Sequence, residues 1–393
     1  MKNELSKAVL QLYELIKLGI WQDYKPNVQV FESCDWESLY ELSKVQSVRG
    51  VAFDGFRRLY DAAPELGIDR KLKLRWASQA GKMLTTYKKH VAVLAKVHRT
   101  LEEAGINHIF MKGLTCSSRY PVPYLRTCGD IDFVVRPQDF SRTLEVLERI
   151  SAVNHSTVHE HHGMARLAGI VLEPHYKIRN FQNAKSDAIM AAMGAEVFSH
   201  ELGTARIFLE KCEETQNRDV TLHVPVFPPE FEGMFLVCHM EEHVYGEGLG
   251  LRQVIDFALW AKTCAGSEHF DAELHEHYLK DMRMLRAHRI FVRICEEYLG
   301  LPTNIFHYQY TPREKSFAGK LMRDIAKVGN FGRGEYVFHH DSKWDEIKNY
   351  WWVTRRAIRL GYLCPSEAYM WPVSKFTRYF SKALNPKKYQ EIS

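Results

Sequence analysis

A small mixed sheet held between helical regions, an α+β architecture, follows from three features of the chain. Before residue 98 and after residue 226 the apolar residues recur at helical spacing with few strand signals. Between those limits, short apolar runs alternate with helical runs. Gly105, Gly113, Gly129 and Gly169 punctuate the joins. The expected division is a helical region over 1–98, an α/β core over 99–225 and a C-terminal helical region over 226–393 that ends in a basic, aromatic tail.

In the first region helices are expected over 36–45, with Asp35 as cap, over 51–60, and over 70–101, a long stretch with few breakers. The core opens at Gly105 with an apolar run, 106–111, that ends at Lys112-Gly113. A helix is expected over 114–120, then a loop carrying Arg126, then a turn at Gly129 into a buried strand, Ile131 and Phe133 to Val135. A helix over 137–150 and a strand over 152–158 follow, and 164–168 and 170–178 pair as a hairpin about Gly169. Pro174 suggests an edge position or a bulge. This sheet is expected to be covered on one side. A helix over 187–201, capped by Ser186, and a last strand over 220–224 close the core. Beyond Pro228, helices are expected over 231–245 and 251–263 with a Gly246-Gly248-Gly250 turn between them; Arg252 and Asp256, four apart on one face, either form a local ion pair or serve at the rim of an active site.

Composition narrows the function classes. Apolar residues at 46% suit a chain with buried cores, and no apolar stretch reaches a membrane span. The N-terminus carries no signal-peptide pattern, and the eight cysteines are scattered without a C-x-x-C pair. A cytoplasmic location, without disulfides or a zinc ribbon, is the expectation. A net charge of +5 permits an anionic partner without demanding a nucleic acid. The tail from Lys348 to Lys388 mixes Trp and Tyr with Lys and Arg. Contact with a membrane surface or nucleic acid is one reading; the expected one is a solvated helical face with its aromatics turned inward.

The chemistry concentrates on Asp130 and Asp132. Residues two apart on a strand share a face, so the two carboxylates project together while Ile131 and Phe133 point the other way. Either both face water, or something cationic offsets their repulsion, and a hard divalent metal with oxygen ligands does so economically. The strand over 170–178 puts Glu173, His175 and Lys177 on one face. A third carboxylate beside an Asp pair is what two-metal transfer of a phosphoryl-type group needs. The strand, Lys112-Gly113 turn and following helix start present backbone N–H groups suited to phosphate.

With Lys112-Gly113, Arg126, Gly129-Asp130-x-Asp132 and Glu173 in this order, the chain resembles the DNA polymerase β nucleotidyltransferase superfamily. It is more closely similar to a family of bacterial uncharacterised nucleotidyltransferases, from the N-terminal helices to about Gly332. Lys112-Gly113 stands where the superfamily usually has Gly-Ser, and the third acid is Glu rather than Asp. The resemblance implies transfer of an NMP from an NTP, such as ATP, to an acceptor hydroxyl with loss of pyrophosphate. Asp130, Asp132 and Glu173 would be catalytic and would hold Mg2+ or Mn2+. Lys112, Gly113, Arg126 and Gly129 would bind the nucleotide. The acceptor, a small molecule, protein or RNA, is open.

Two other classes compete. A binding or scaffold protein that keeps the fold with weak catalysis is the first. A zinc peptidase using His239-x-x-Glu242-His243 is the second, since two histidines one turn apart can share zinc. Against the peptidase, no third ligand is marked by spacing, and these histidines are expected at a surface or interface. His155, His159, His161 and His162 are expected to be solvated or to face substrate.

Overall fold

The computed structural model describes residues 5–154, 163–210, 220–332, 334 and 342–384. Helices α1 (Lys7–Ile20), α2 (Trp36–Val45), α3 (Arg49–Ala62) and α4 (Arg70–Glu103) come first. Asp35 caps α2 as expected, accepting from Ser38 N–H at 3.1 Å. α1 and α3 cross at backbone contact, Gly19 against Val51 and Gly55 against Leu15, and a methyl group at either glycine would strike a carbonyl oxygen. α4 continues beyond residue 98 to lay Val91, Leu94, Val97 and Leu101 on the sheet.

Next come β1 (His108–Met111), α5 (Gly113–Ser117), β2 (Ile131–Val135), α6 (Phe140–Glu148), β3 (Ala152–Asn154), β4 (Met164–Leu167) and β5 (Ile170–His175). The five strands lie in the order β1-β2-β5-β4-β3; β2 and β5 are parallel and the other neighbours antiparallel, so the sheet is mixed as expected. Two details differ from expectation. The sheet is covered on both faces: Phe110, Ile131, Phe133 and Val135 pack with α4 and α6, while Ile109, Met111 and Val134 join the larger core with the C-terminal helices. β5 is a central strand, not an edge. Pro174 is tolerated there because its carbonyl accepts from Gly163, which turns its nitrogen toward the β4 side, beyond the last β4–β5 pair at Leu172.

α7 (Ala184–Val197) is capped by Asn183, whose side chain accepts from Lys185 and Ser186 N–H; Ser186 is inside the first turn rather than its cap. A hairpin of β6 (Gly203–Glu210) and β7 (Val220–Val226) follows. β6 was not expected, although Ala205 and Ile207 alternate with Arg206 and turn inward. The remaining helices are α8 (Pro229–Tyr245), α9 (Leu251–Trp260), α10 (Ala272–Asp281), α11 (Leu285–Leu299), α12 (Pro312–Val328), α13 (Lys343–Leu360) and α14 (Pro365–Leu384). One apolar cluster joins α1–α3, one face of the sheet and α8–α12. In the tail, Val353, Ala357, Leu360 and Trp371 turn inward as expected, but Trp351, Tyr369 and Phe376 point to solvent, as does Trp344 just before it. No described helix is long and apolar enough to cross a membrane.

Candidate active site

The parallel register of β2 and β5 sets Asp132 directly opposite Glu173, with Met111 of β1 on its other side. Two carboxylates at adjacent positions repel, and the structure surrounds them with donors. His175 Nε2 lies 3.0 Å from Asp132 Oδ1, and Lys112 Nζ lies 3.4 Å from the same oxygen. Burial alone raises the Asp132 pKa, but Lys112 and the His175 hydrogen bond outweigh it and hold the carboxyl well below the usual range. Glu173 goes the other way. Burial, then Asp132, then Asp130 push it up to about 8. Asp130, just before β2, is raised by burial and by Asp132. The negative charge here exceeds what Lys112 neutralises.

Asp132, Glu173 and His175 offer ligating atoms that all lie within 4.8 Å of one another. That donor set fits a divalent cation: two carboxylates supply hard oxygens and an imidazole suits a transition ion such as Mn2+. Lys177, expected on the same face, lies beyond β5 and pairs with Asp187 at 3.7 Å.

The backbone around the acids is constrained. Lys112 has φ 57° and Gly113 φ 45°, so the chain enters α5 through a left-handed turn that costs a lysine about 1–3 kcal/mol. A Cβ at Gly113 would sit 3.4 Å from Asp130 O. α5 spans only Gly113–Ser117, a single turn, shorter than the expected 114–120. His90 of α4, a residue overlooked in the sequence, holds the Gly129 carbonyl at 3.0 Å and so anchors the turn into β2.

Part of this group lines a narrow cleft. Lys112, Gly113, Gly129, Asp130 and Asp132 form one wall; α8, α9 and Phe331 form the other. The floor excludes one of the two readings of Arg252 and Asp256. Arg252 and Asp256 do not pair. Asp256 instead takes both prongs of Arg126, at 2.8 and 2.6 Å, and the Tyr120 hydroxyl at 2.7 Å. With Arg119 bidentate on Glu232 of α8, two buried pairs tie the segment after α5 to the C-terminal helices. Arg252 donates to Thr127 O at 3.1 Å and has no carboxylate at ion-pair distance among the described residues. Burial, and Arg126 next to it, lower its pKa. It is a guanidinium with donors to spare, facing the cleft.

His239 and His243, expected at a surface or interface, line this cleft with Leu236, Met240 and Phe331. Burial dominates their titration: His239 is held well below the ordinary value and His243 falls to about 4, so both are neutral at pH 7. Their rings contact edge to face at 4.5 Å, and His243 meets Phe331 at 5.1 Å. Phe331 sits at φ 54°, in a turn held against Gly248, whose carbonyl accepts its N–H. Among the described residues the group that brings three ligating side chains together is Asp132, Glu173 and His175; the two α8 histidines gain no third ligand. His155, His159, His161 and His162 lie outside the described residues.

A profile of the family described as "Uncharacterised nucleotidyltransferase" matches residues 32–300. No curated protein matches the chain. Among solved structures, the crystal structure of an antigenic nucleotidyltransferase-like protein from Paracoccidioides brasiliensis is similar over 56% of this chain and 97% of that one, at 13% identity and a TM-score of 0.33.

Proposed function

The chain belongs to the family of uncharacterised nucleotidyltransferases, and on that premise we propose that it moves a nucleoside monophosphate from an NTP, ATP among them, to an acceptor hydroxyl with release of pyrophosphate. The observation that carries the reading is the meeting of Asp132 and Glu173 in register across β2 and β5, with Asp130 and Lys112 beside Asp132 in the cleft. Asp130, Asp132 and Glu173 would hold Mg2+ or Mn2+. When bound, the ion supplies charge neutralisation to the triphosphate and to the leaving pyrophosphate.

The chain's own residues do the rest. Asp132 stays ionised under Lys112 and His175 and presents a fixed negative charge. His175 orients that carboxylate. Glu173, at the edge of the group, takes the proton of the acceptor hydroxyl. Lys112 contributes a point charge toward phosphate, and the Lys112-Gly113 turn and Gly129 let backbone approach closely. Arg126 spends its fork on Asp256, so its role is charge at the floor, and Arg252 supplies the N–H donors toward a phosphate oxyanion. Phe331, His239 and His243 give the opposite wall flat, uncharged faces suited to a planar group.

Calorimetry of NTP binding with and without Mg2+, on the wild type and on Asp130→Asn/Asp132→Asn, tests the reading. Metal-dependent binding that the double variant loses is expected. Equal binding by both proteins, or none by either, would overturn it and leave the weak-catalysis scaffold.

A further inference from the structure

The last two described helices carry an apolar surface that none of the described residues covers. Trp344, Trp351 and Ile358 of α13 are 71%, 59% and 78% exposed. They are seven residues apart, so they stack in one stripe along the helix. Lys348 and Arg355, four residues after each Trp, are exposed on the same side, while Asn349, Val353, Arg356 and Leu360 turn inward. Tyr369, Val373 and Phe376 make a second exposed stripe on α14 at the same helical spacing. Tyr350 joins the two, its ring centroid 6.2 Å from Trp351 and 6.4 Å from Phe376. Solvent-facing Trp and Ile on this scale are not what a helix needs for its own packing.

The charges around the stripes decide what covers them. From Lys343 to Lys388 the chain holds ten Lys and Arg and three acids: Asp345 and Glu346 in the first turn of α13, and Glu367, which is wholly buried. Lys348 is 3.4 Å from Asp345 in the first turn, whereas Arg355 has no carboxylate at ion-pair distance among the described residues. A second copy docked by this face would set Arg355 and Lys348 against their own kind. Base stacking would use the rings but leave Ile358 and Val373 idle. A helix with Trp and Ile on its outer stripe, with Lys348 and Arg355 between them and its acids, Asp345 and Glu346, confined to the first turn, suits the boundary of an anionic bilayer, where rings and aliphatic groups enter the interface and the basic residues meet headgroups.

We propose that the outer face of α13 and α14 docks the protein on anionic lipid membranes. This inference does not rest on nucleotidyl transfer and holds or fails without it. The test is co-sedimentation of the full chain with phosphatidylcholine vesicles containing about 30% phosphatidylglycerol, against phosphatidylcholine alone. Binding to the anionic vesicles, falling with salt, is expected. Trp344→Ser/Trp351→Ser/Ile358→Ser, which leaves charge unchanged, should weaken it at least about tenfold, and Lys348→Glu/Arg355→Glu should do the same. All five side chains are exposed, so both variants should keep the parent's melting temperature; the second serves if the first does not fold. No binding to anionic vesicles, equal binding to neutral ones, or equal binding by both variants would overturn the proposal. So would RNA binding of equal strength, or a dimer, lost with the same substitutions.

Discussion

Asp132 meets three requirements at one position. It is buried, is held ionised and faces Glu173, and Lys112 and His175 make that combination stable. Asp132→Asn therefore removes the charge that both donors serve, and turnover should fall by more than about a hundredfold in a nucleotidyl-transfer assay. Arg252→Gln is expected to act differently. It deletes one charge-assisted donor from the cleft, so KM for the nucleotide should rise by about 10- to 100-fold with kcat nearly kept. A drop confined to kcat would refute the assignment. Arg126 and Asp256 are each about 5% exposed and satisfy each other. Breaking that pair leaves an uncompensated buried charge, so Arg126→Ala or Asp256→Ala should cost about 3–5 kcal/mol in urea unfolding.

At the scale of elements, two contacts set the geometry. α1 and α3 touch backbone to backbone at Gly19 and Gly55, because a side chain at either site would meet a carbonyl oxygen of the other helix. Gly55→Ala forces the helices apart and should destabilise the protein by about 1–3 kcal/mol, the usual cost of overpacking, read as a lower unfolding midpoint. The second is the turn that presents Phe331. Its φ of 54° suits glycine. Phe331→Gly should keep or slightly raise thermal stability while raising KM for the nucleotide; an unchanged KM would remove Phe331 from the binding wall.

The whole molecule carries a pH dependence written in its buried histidines. His275 bridges Glu230 O and His288, and His288 meets the Tyr308 hydroxyl at 3.0 Å. Burial pushes His275 and His108 down to about 4 and His288 well below its ordinary value. The unfolded chain takes up these protons near pH 6.5 and the folded one does not, so stability is full above 6.5 and is lost as pH falls toward 4, by about 3 kcal/mol each for His275 and His108. Glu173 and Glu241, pushed up to about 8 and about 7, contribute with the opposite sign, but the histidines outnumber them. Denaturation midpoints should therefore fall steadily from pH 6.5 to 4, and His288→Gln should flatten that slope. A wild-type profile without a slope in this window would contradict the burial of these rings.

The strand with Asp130 and Asp132 and the helices around Trp36 and Arg70 were legible in the sequence because they obey local rules: alternation along a strand, periodicity along a helix, a cap at its start. Glu173 was singled out the same way, as a strand residue of the right type. Spacing could not say that Glu173 lands opposite Asp132, since register is a property of two strands. Arg252 and Asp256 show the limit most clearly. Four apart on a helix, they allow a local pair, yet Asp256 turns to Arg126, 130 residues away, and leaves Arg252 for the cleft. A charge takes whichever partner packing brings within reach in a dry interior, and only the folded chain decides that. The same reason moved His239 and His243 from an expected surface to the wall of the cleft, and turned Trp351 outward while Trp371 stays buried.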